Sequence, residues 1–239
     1  MKRRKGQFDF KQFSIRQEFS AMKVGTDGVL LGAWANIAGS ARILDIGTGT
    51  GLIALMLAQR NPSAVIDSIE IDKESAIEAS GNVSRSPWAD RVKVLHESIQ
   101  NFSSDTSATY DLIVSNPPFF NAGTPSPAAG RHQARHTSQL SQRDLVLATA
   151  KLLSNHGRFC VILPVTESEQ FISTAAGSKL WPGRKTIFFP KARKHAERHL
   201  IEFSRKNTAY KEDRLVQYDE HGEWTDDYKN LTRDFHIKL

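Results

Sequence analysis

Short apolar runs alternate with helix-forming segments along most of this chain of 239 residues. The runs predict buried strands, and the segments between them predict the crossover helices that parallel strands require. The predicted strands are 43–46, 65–71, 92–95, 112–114, 158–163, 186–189 and 200–203, and the predicted helices are 28–38, 52–59, 73–83, 141–153 and 167–176. The last two strands have no helix between them and should pair antiparallel. We therefore predict the α/β class: a doubly wound, mainly parallel, seven-stranded sheet with helices on both faces and an antiparallel last strand.

The first predicted strand ends in a glycine-rich loop. Asp45 interrupts its apolar run, and Gly47, Gly49 and Gly51 follow at every second position before the helix 52–59 begins. Glycines let the backbone turn sharply and approach a ligand closely, whereas a buried carboxylate needs a partner. The G-x-G-x-G spacing differs from the G-x-G-x-x-G of dinucleotide sites. It is usual in enzymes that bind S-adenosylmethionine, which has no pyrophosphate to hold. The alternative is a plain strand–helix turn.

Three further strand ends should meet this loop at one edge of the sheet, because ligands lie beyond the carboxyl ends of the strands in an open α/β sheet. These ends carry Glu70, Ser98 and Asn116. Glu70 lies 19 residues beyond Gly51, a separation at which a carboxylate can hold the ribose hydroxyls of a bound nucleoside. The sulfonium methyl group of a cofactor bound in this way would point toward Asn116.

Asn116 opens the motif Asn-Pro-Pro-Phe directly after the fourth strand. A planar amine on a nucleobase is a poor nucleophile, because its lone pair is delocalised into the ring. The side-chain oxygen of Asn116 and the carbonyl of Pro117 can each accept one N–H, which turns the lone pair toward the methyl group. Phe119 can stack on the base, and positioning then supplies much of the catalysis. The alternative is a strand-terminating turn with a core phenylalanine.

Together, D-x-G-x-G-x-G, the acid-tipped second strand and N-P-P-F resemble the class I S-adenosylmethionine-dependent methyltransferases that act on amino groups, over 41–164. The segment A-M-K-V-G-T-D-G-V-L-L-G-A-W-A at 21–35 is more specific. With the segments at 55–60, 86–89 and 228–239, it resembles the bacterial N6-methyltransferases that modify the adenosine just 3′ of the anticodon in a valine tRNA. The resemblance covers nearly the whole chain and implies a Rossmann-like fold, S-adenosylmethionine as cofactor and tRNA as partner.

The resemblance also implies which residues form the site. Catalysis falls to Asn116, Pro117 and Phe119, and the family often has tyrosine at the last position. Cofactor binding falls to Lys23, Thr26, Asp27, Asp45, Gly47, Gly49, Gly51, Glu70, Glu97, Ser98 and Asn116. Related enzymes often place aspartate where this chain has Ser98, so Glu97 or the Ile99 amide would substitute in contacting the cofactor's adenine.

The chain is expected to divide into three parts. Residues 1–40 form a basic segment and a helix that packs on the cofactor site, and residues 41–206 form the methyltransferase domain. Residues 207–239 form an extension packed on the same domain, with a short ribbon that begins at 215–218 and a helical turn near 226–231.

Charge is distributed unevenly, and this bears on the partner. The net charge is +6 and the isoelectric point is near 9.5. Residues 1–24 carry a net +5 and residues 181–206 a net +6, so the remainder carries −5. Two basic blocks on an acidic body favour a polyanion such as RNA. Solvated faces, or a disordered tail at 1–5, would give the same pattern.

Other features favour a metal-free, cytoplasmic protein. Cys160 is the only cysteine, so no intramolecular disulfide can form, and its apolar surroundings predict a core position. No apolar run reaches the length of a membrane helix, and the Met1 region has no signal-peptide core. The pairs His132/His136 and His195/His199 have a metal-like spacing but lie among basic residues, so RNA contact or plain surface is favoured over a metal. A monomer is expected.

Other functions fit part of the pattern. Amino-group chemistry would also suit guanine N2 in rRNA, adenine in DNA or glutamine N5 in a protein. The 40 residues ahead of Ala41 are too few for the helical substrate domain of the release-factor methyltransferases that act on glutamine. A non-catalytic RNA-binding module is a further alternative. Its expected mark is a degraded glycine loop or Asn-Pro-Pro-Phe motif, and both are intact.

Overall fold

The computed structural model of the chain describes residues 6–20, 22–118 and 140–237. Its strands are β1 (Gln7–Asp9), β2 (Ser14–Arg16), β3 (Arg42–Ile46), β4 (Val65–Glu70), β5 (Val92–His96), β6 (Tyr110–Ser115), β7 (Leu153–Pro164), β8 (Trp181–Lys191), β9 (Arg198–Ser204) and β10 (Lys211–Tyr218). Its helices are α1 (Thr26–Trp34), α2 (Leu52–Arg60), α3 (Lys73–Ser84), α4 (Ile99–Asp105), α5 (Gln142–Leu152), α6 (Val165–Gly177) and α7 (Asp226–Thr232).

Eight of these strands form one sheet in the order β10-β8-β9-β7-β6-β3-β4-β5. β9 is antiparallel to both of its neighbours, and the other strand pairs of this sheet are parallel. The predicted α/β class and the antiparallel pairing of the last two predicted strands are therefore confirmed. The strand order reverses between β3 and β6, and ligands of doubly wound sheets bind at such a switch point. The glycine loop leaves β3 there, and Asn116 follows β6.

The number of strands differs from the seven that the sequence predicts. β10 pairs in parallel with β8 and becomes the edge of the sheet, whereas the sequence predicts only a ribbon within the tail. Of that ribbon, one antiparallel bridge between Tyr218 and Trp224 is present. Pairing with β10 satisfies backbone groups that β8 would otherwise expose. Such a long-range pairing leaves no mark in the local sequence pattern.

Apolar side chains alternate between the two faces of the sheet. Along β6, Leu112 and Val114 belong to a core cluster with residues of α1 and α2, whereas Ile113 belongs to a second cluster with residues of α5 and α6. Since successive side chains of a strand point to opposite faces, helices cover both faces, as predicted. This double cover makes the sheet a rigid base for the loops at its edge.

Helix α1 begins and ends earlier than the predicted 28–38. Its N-cap is Gly25, so Thr26 and Asp27 lie inside the first turn instead of capping the helix. A Cβ atom at Gly32 would come within 2.7 Å of the Met56 sulfur, so α1 lies very close to α2. Helix α4 and the β1–β2 hairpin are not predicted by the sequence, because elements of three to seven residues are too short to show periodicity.

The C-terminal segment packs onto the same core as the N-terminal helix. Tyr228 and Phe235 belong to the core cluster that includes residues of α1 and α2. The Gln59 side chain donates a hydrogen bond to the Asp234 carbonyl at 2.8 Å. The division into 1–40, 41–206 and 207–239 stays a prediction. Among the described residues, no helix is both long and apolar enough to cross a membrane.

Candidate active site

An open cleft of about 340 Å³ lies at the switch point of the sheet. Six of the predicted site residues line it: Lys23, Thr26, Asp27, Gly47, Gly49 and Asn116. They come from the start of α1, the loop after β3 and the end of β6. The topology therefore brings three distant stretches of sequence to one place.

The glycine loop has a left-handed backbone at each of its three glycines. Gly47, Gly49 and Gly51 have φ angles of +73°, +56° and +82°. A Cβ atom at Gly47 or Gly49 would meet no heavy atom within 4 Å, whereas one at Gly51 would lie 3.6 Å from Ala79. The first two glycines thus leave open space in the cleft, and the third allows α2 to begin beside α3.

Asp45 stabilises this loop from below. Its side chain is fully buried and does not line the cleft, and its Oδ2 accepts a 2.6 Å hydrogen bond from the Thr48 hydroxyl. Its Oδ1 has no hydrogen-bond partner among the described residues. Burial raises the pKa of Asp45 to about 7, although the Thr48 hydroxyl and the Ala54 amide lower it. The group therefore gains and loses its proton near neutral pH.

Glu70 connects the end of β4 to the same loop. One carboxylate oxygen accepts a 2.8 Å hydrogen bond from the Gly49 amide, and the other accepts a 2.9 Å bond from the Asp72 amide. The side chain is buried and is not part of the cleft lining. Glu70 thus lies against the glycine loop, as the strand pattern predicts, and its contact with a ribose stays a prediction.

Glu97 and Ser98 lie beyond the cleft lining. The Glu97 amide donates to the Glu70 carbonyl at 3.0 Å. The Ser98 hydroxyl caps α4, where it accepts a hydrogen bond from the Asn101 amide at 3.2 Å. Serine is a favoured N-cap, so this capping role gives the Ser98 hydroxyl a structural function in the described residues. Contact of either residue with the adenine stays a prediction.

The segment ahead of α1 forms the second wall of the cleft. The Lys23 ammonium group donates to the Gln17 carbonyl at 2.6 Å and to the Glu18 carbonyl at 3.1 Å. The Asp27 carboxylate pairs with Arg198, with 2.8 Å between Oδ2 and Nε. Asp27 and Arg198 are both about four-fifths buried as side chains, so this ion pair is partly shielded from water.

Asn116 lies opposite the glycine loop. The Ser115 hydroxyl donates a 2.9 Å hydrogen bond to the Ile46 carbonyl, which ties the end of β6 to the end of β3. Asn116 is half-buried and lines the cleft, and Pro117 behind it is buried. Phe119 lies outside the described residues.

The far wall of the cleft was not predicted from the sequence. Phe188 and Pro190 of β8, Arg198 of β9 and Gln217 of β10 complete it. Pairing of β8 with β9 and β10 brings these residues to the cleft edge. They belong to no recognisable motif, so only the three-dimensional fold reveals them.

Comparison with known proteins gives the family. Residues 17–171 match the Methyltransferase small domain family. The tRNA1(Val) (adenine(37)-N6)-methyltransferase of Trichodesmium erythraeum is 47% identical over 97% of this chain and 98% of its own length. The enzymes of the same name from Bacteroides fragilis and Histophilus somni are 43% and 41% identical, and each alignment covers at least 97% of both chains.

The chain belongs to the tRNA1(Val) (adenine(37)-N6)-methyltransferase family.

Solved structures agree on the fold of this family member. A predicted O-methyltransferase from Agrobacterium tumefaciens matches 87% of this chain and 96% of its own with a TM-score of 0.69 at 18% identity. An O-methyltransferase of Brevibacillus brevis, solved with S-adenosyl-L-homocysteine, matches 74% of this chain and 70% of its own with a TM-score of 0.52 at 14% identity. At such low identity these matches show the class I methyltransferase fold alone, which confirms the predicted architecture.

The cleft of this methyltransferase fits the predicted cofactor. Gly47 and Gly49 leave a cradle that any side chain would fill, and the acidic tip of β4 meets it at Gly49. The described residues contain no group of three or more His, Cys, Asp or Glu side chains able to hold a metal ion. The open space at Gly47 and Gly49 suits an organic ligand that approaches the backbone closely.

Of the remaining candidates of the sequence, Cys160 and His199 belong to the core, whereas His195 is exposed, as predicted for a surface residue. Cys160 is buried, as predicted, and burial together with nearby Glu202 raises the pKa of its thiol. The His199 ring is buried 2.7 Å from the Ser168 hydroxyl, and burial lowers its pKa, so it is not the RNA-contacting or surface group that the sequence favours. His132 and His136 lie outside the described residues.

Proposed function

We propose that this protein transfers a methyl group from S-adenosylmethionine to the exocyclic N6 amine of adenosine 37 in tRNA1(Val), just 3′ of the anticodon. The observation that carries the proposal is that Asn116 and the glycine loop line one cleft at the switch point of the sheet. Nearly full-length similarity to enzymes named for this reaction supports the substrate.

The cofactor would be held mainly by backbone and by buried acids. S-adenosylmethionine supplies an activated methyl group on its sulfonium. Gly47 and Gly49 give it close access to the loop, and Glu70 offers carboxylate oxygens to the ribose. Lys23 and Asp27 close the cleft on the other side. No metal takes part.

The acceptor amine is oriented by the end of β6. The Asn116 side-chain oxygen accepts one N–H of the adenine amine, and the Pro117 carbonyl accepts the other. Phe119 stacks on the base and holds its plane. These contacts turn the nitrogen lone pair toward the methyl group, so that positioning supplies most of the rate enhancement.

A general base within the protein is not required. The nitrogen would form its bond to the methyl carbon as the carbon–sulfur bond of the cofactor breaks and leaves a neutral thioether. The methylated nitrogen is strongly acidic and would release its proton to water in the open cleft. Asp45 has a pKa near 7 but does not line the cleft, so its role is to shape the loop. We also place the protein in the cytoplasm, as a monomer.

The reaction is tested with radiolabelled S-adenosylmethionine and separate pools of tRNA, rRNA, DNA and protein. We expect label in the tRNA pool and N6-methyladenosine after digestion, lost when adenosine 37 of tRNA1(Val) is replaced. Label in guanine, in DNA or in protein glutamine would show that the protein methylates a different amino group. No label in any pool would favour the non-catalytic alternative.

The role of Asn116 is tested with Asn116→Ala and with Asn101→Ala as a matched control, since Asn101 is exposed on α4. Single-turnover methylation by Asn116→Ala should fall by roughly 10²-fold, because orientation of the amine is needed in the transition state. Affinity for the cofactor and for tRNA should fall far less than the rate, because Asn116 is only one of many contacts. Asn101→Ala should methylate at the parent rate. A parent-like rate for Asn116→Ala would mean that Asn116 does not orient the amine and that the Asn-Pro-Pro-Phe motif is only a strand-terminating turn.

A further inference from the structure

Most basic side chains of the second basic block, residues 181–206, interact with other groups of the protein. Five of its eight basic side chains have partners: Arg184 with Glu202 and over the Trp34 ring, Lys185 with Glu212, Arg193 with Glu220, Arg198 with Asp27, and Arg205 with the carbonyls of Ala150 and Leu153. Lys191, Lys194 and Lys206 have no side-chain partner among the described residues. The sequence suggests that the block is one continuous RNA-binding surface, but these internal partners show that it is not.

The three lysines lie at opposite ends of strands β8 and β9. Lys191 ends β8, and Lys194 lies in the connection between β8 and β9; we name residues 191–197 the basic turn. Pro190 before it and Glu197 at its end both line the cleft. Lys206 follows the far end of β9. Because β8 is 11 residues long, its two ends are roughly 30 Å apart.

Backbone hydrogen bonds hold the basic turn in place. The Ala192 amide donates to the Tyr218 carbonyl at 2.9 Å, and the Lys194 amide donates to the Lys191 carbonyl at 3.0 Å. The Glu197 amide donates to the Phe188 carbonyl at 3.0 Å. The turn therefore presents its exposed lysines on a fixed backbone beside the cleft mouth.

Acids near the turn balance its formal charge, but among the described residues none of them pairs with its lysines. Glu220 pairs with Arg193 at 2.9 Å, and Arg193 and Glu220 are exposed by 80% and 56%, so this ion pair is weak and a phosphate can compete for the arginine. Glu197 is exposed at the cleft rim. Asp219, which follows Tyr218 at the end of β10, is a third acid beside the turn. Lys191 and Lys194 nevertheless stay exposed and have no side-chain partner among the described residues.

We propose that the basic turn binds phosphate groups of the tRNA whose adenosine enters the cleft, with Lys191 and Lys194 as the contacting residues. The inference rests on the proposed function, because an RNA with one base in the cleft must carry its backbone across the cleft mouth. Lys206, which lies about 30 Å away at the other end of these strands, does not contact the tRNA in this proposal.

The test compares two double variants that remove the same charge. Lys191→Ala/Lys194→Ala alters the basic turn. Lys206→Ala/Lys211→Ala is the matched control, since Lys211 lies beside Arg184 at the opposite edge and is exposed. The affinity of the full chain for tRNA1(Val) is measured from low to high salt. The turn variant should bind about 10-fold more weakly at low salt, and its log–log salt slope should be smaller by about 1.5.

Two further readouts separate RNA contact from other effects. Lys191→Arg/Lys194→Arg should restore affinity and slope, because the charge is retained. Affinity for S-adenosylmethionine and the unfolding midpoint should match the parent in every variant, and the methylation rate at saturating tRNA should be preserved while KM rises.

Three outcomes would overturn the inference. These are parent-like tRNA binding by the turn variant, an equal loss in the control variant, and failure of the arginine variant to rescue. If the parent methylates this tRNA while any of them occurs, only the inference fails. If the parent methylates no tRNA at all, the proposed function fails as well, independently of the binding data.

Discussion

At the scale of single residues, a comparison of Gly49 with Gly39 distinguishes the effect of backbone strain from the effect of ligand contact. Gly49 and Gly39 have φ angles of +56° and +68°, and a Cβ atom at either position would meet no heavy atom within 4 Å. Only Gly49 lines the cleft. The two positions therefore carry a similar conformational requirement but differ in what lies in front of them.

We expect Gly49→Val and Gly39→Val to lower the free energy of unfolding by similar amounts, on the order of 1–2 kcal/mol, because both force a side chain into the left-handed region. Only Gly49→Val should weaken S-adenosylmethionine binding, since its side chain occupies the cradle. Calorimetry of cofactor binding, beside urea unfolding of both variants, tests this. Equal cofactor affinity in the two variants would mean that the cradle is not the cofactor site.

Asp45 should make stability depend on pH. Its pKa is raised from 3.8 to about 7 by burial, so between these values the folded state holds a proton that the unfolded state has released. The stabilising effect of that proton is complete below the unfolded pKa and is lost as pH rises through 7.

Relative to Asp45→Asn, which cannot titrate, the parent's free energy of unfolding should therefore fall as pH rises from 5 to 7, by about 1–3 kcal/mol. Urea unfolding of the ligand-free parent and variant at several pH values measures this difference. A constant difference across the range would mean that the buried carboxylate stays ionised.

The sequence predicts the residues that belong to a local pattern and misses those that do not. Gly47, Gly49 and Asn116 stand in short motifs, and they line the cleft. Arg198 pairs with Asp27 across the cleft, but the two are 171 positions apart and share no motif. The sequence places Ser98 among the cofactor-binding residues, and only the presence of α4 shows that its hydroxyl caps a helix.

At the scale of elements, one carboxylate of α3 anchors the segment between β2 and α1 to that helix. Glu78 is buried and accepts hydrogen bonds from the amides of Glu18, Phe19 and Ser20, the last at 2.8 Å. Burial alone would raise its pKa, but these amides lower it below its ordinary value. No sequence pattern predicts this contact, because strand and helix signals carry no information on how loops attach to helices.

Glu78→Ala should leave these amides without a partner and loosen the segment that carries Lys23 to the cleft. We expect faster hydrogen exchange at residues 18–20 and a loss of roughly 1–3 kcal/mol in unfolding free energy, with weaker cofactor binding. Glu74→Ala is the matched control, since Glu74 is exposed in the first turn of the same helix. Unchanged exchange at 18–20 in Glu78→Ala would show that the segment is held by other contacts.

At the scale of the whole molecule, the alternation of strands and helices is enough to predict the doubly wound sheet, whereas its strand order comes only from the structure. The sequence cannot predict that β10 extends the sheet, because a tail strand can pair with either edge or with its own neighbour. That pairing places Gln217 at the cleft and Leu215 in the core. The C-terminal segment is therefore part of the scaffold that builds the site.

This organisation predicts that the C-terminal segment unfolds together with the rest of the chain. Trp224 packs against Tyr228, with 5.2 Å between ring centroids, and Tyr228 lies in the same core cluster as α1 and α2. Trp88 packs against Phe13 at 5.6 Å, far from that segment in sequence. The two indoles therefore report on two parts of the chain that the fold joins into one core.

The difference in fluorescence between the parent and Trp224→Phe isolates the signal of Trp224, and Trp88→Phe does the same for Trp88. We expect both signals to follow the far-ultraviolet circular dichroism through a single urea transition with one midpoint, because both indoles pack against one core cluster. Replacing one partly buried indole by phenylalanine should shift the urea midpoint of that variant only modestly. Each parent-minus-variant fluorescence difference is therefore calculated after the variant's curve has been scaled to its own dichroism transition. An earlier transition for Trp224 would make residues 207–239 a separate unit whose attachment is weaker than β10 and α7 imply.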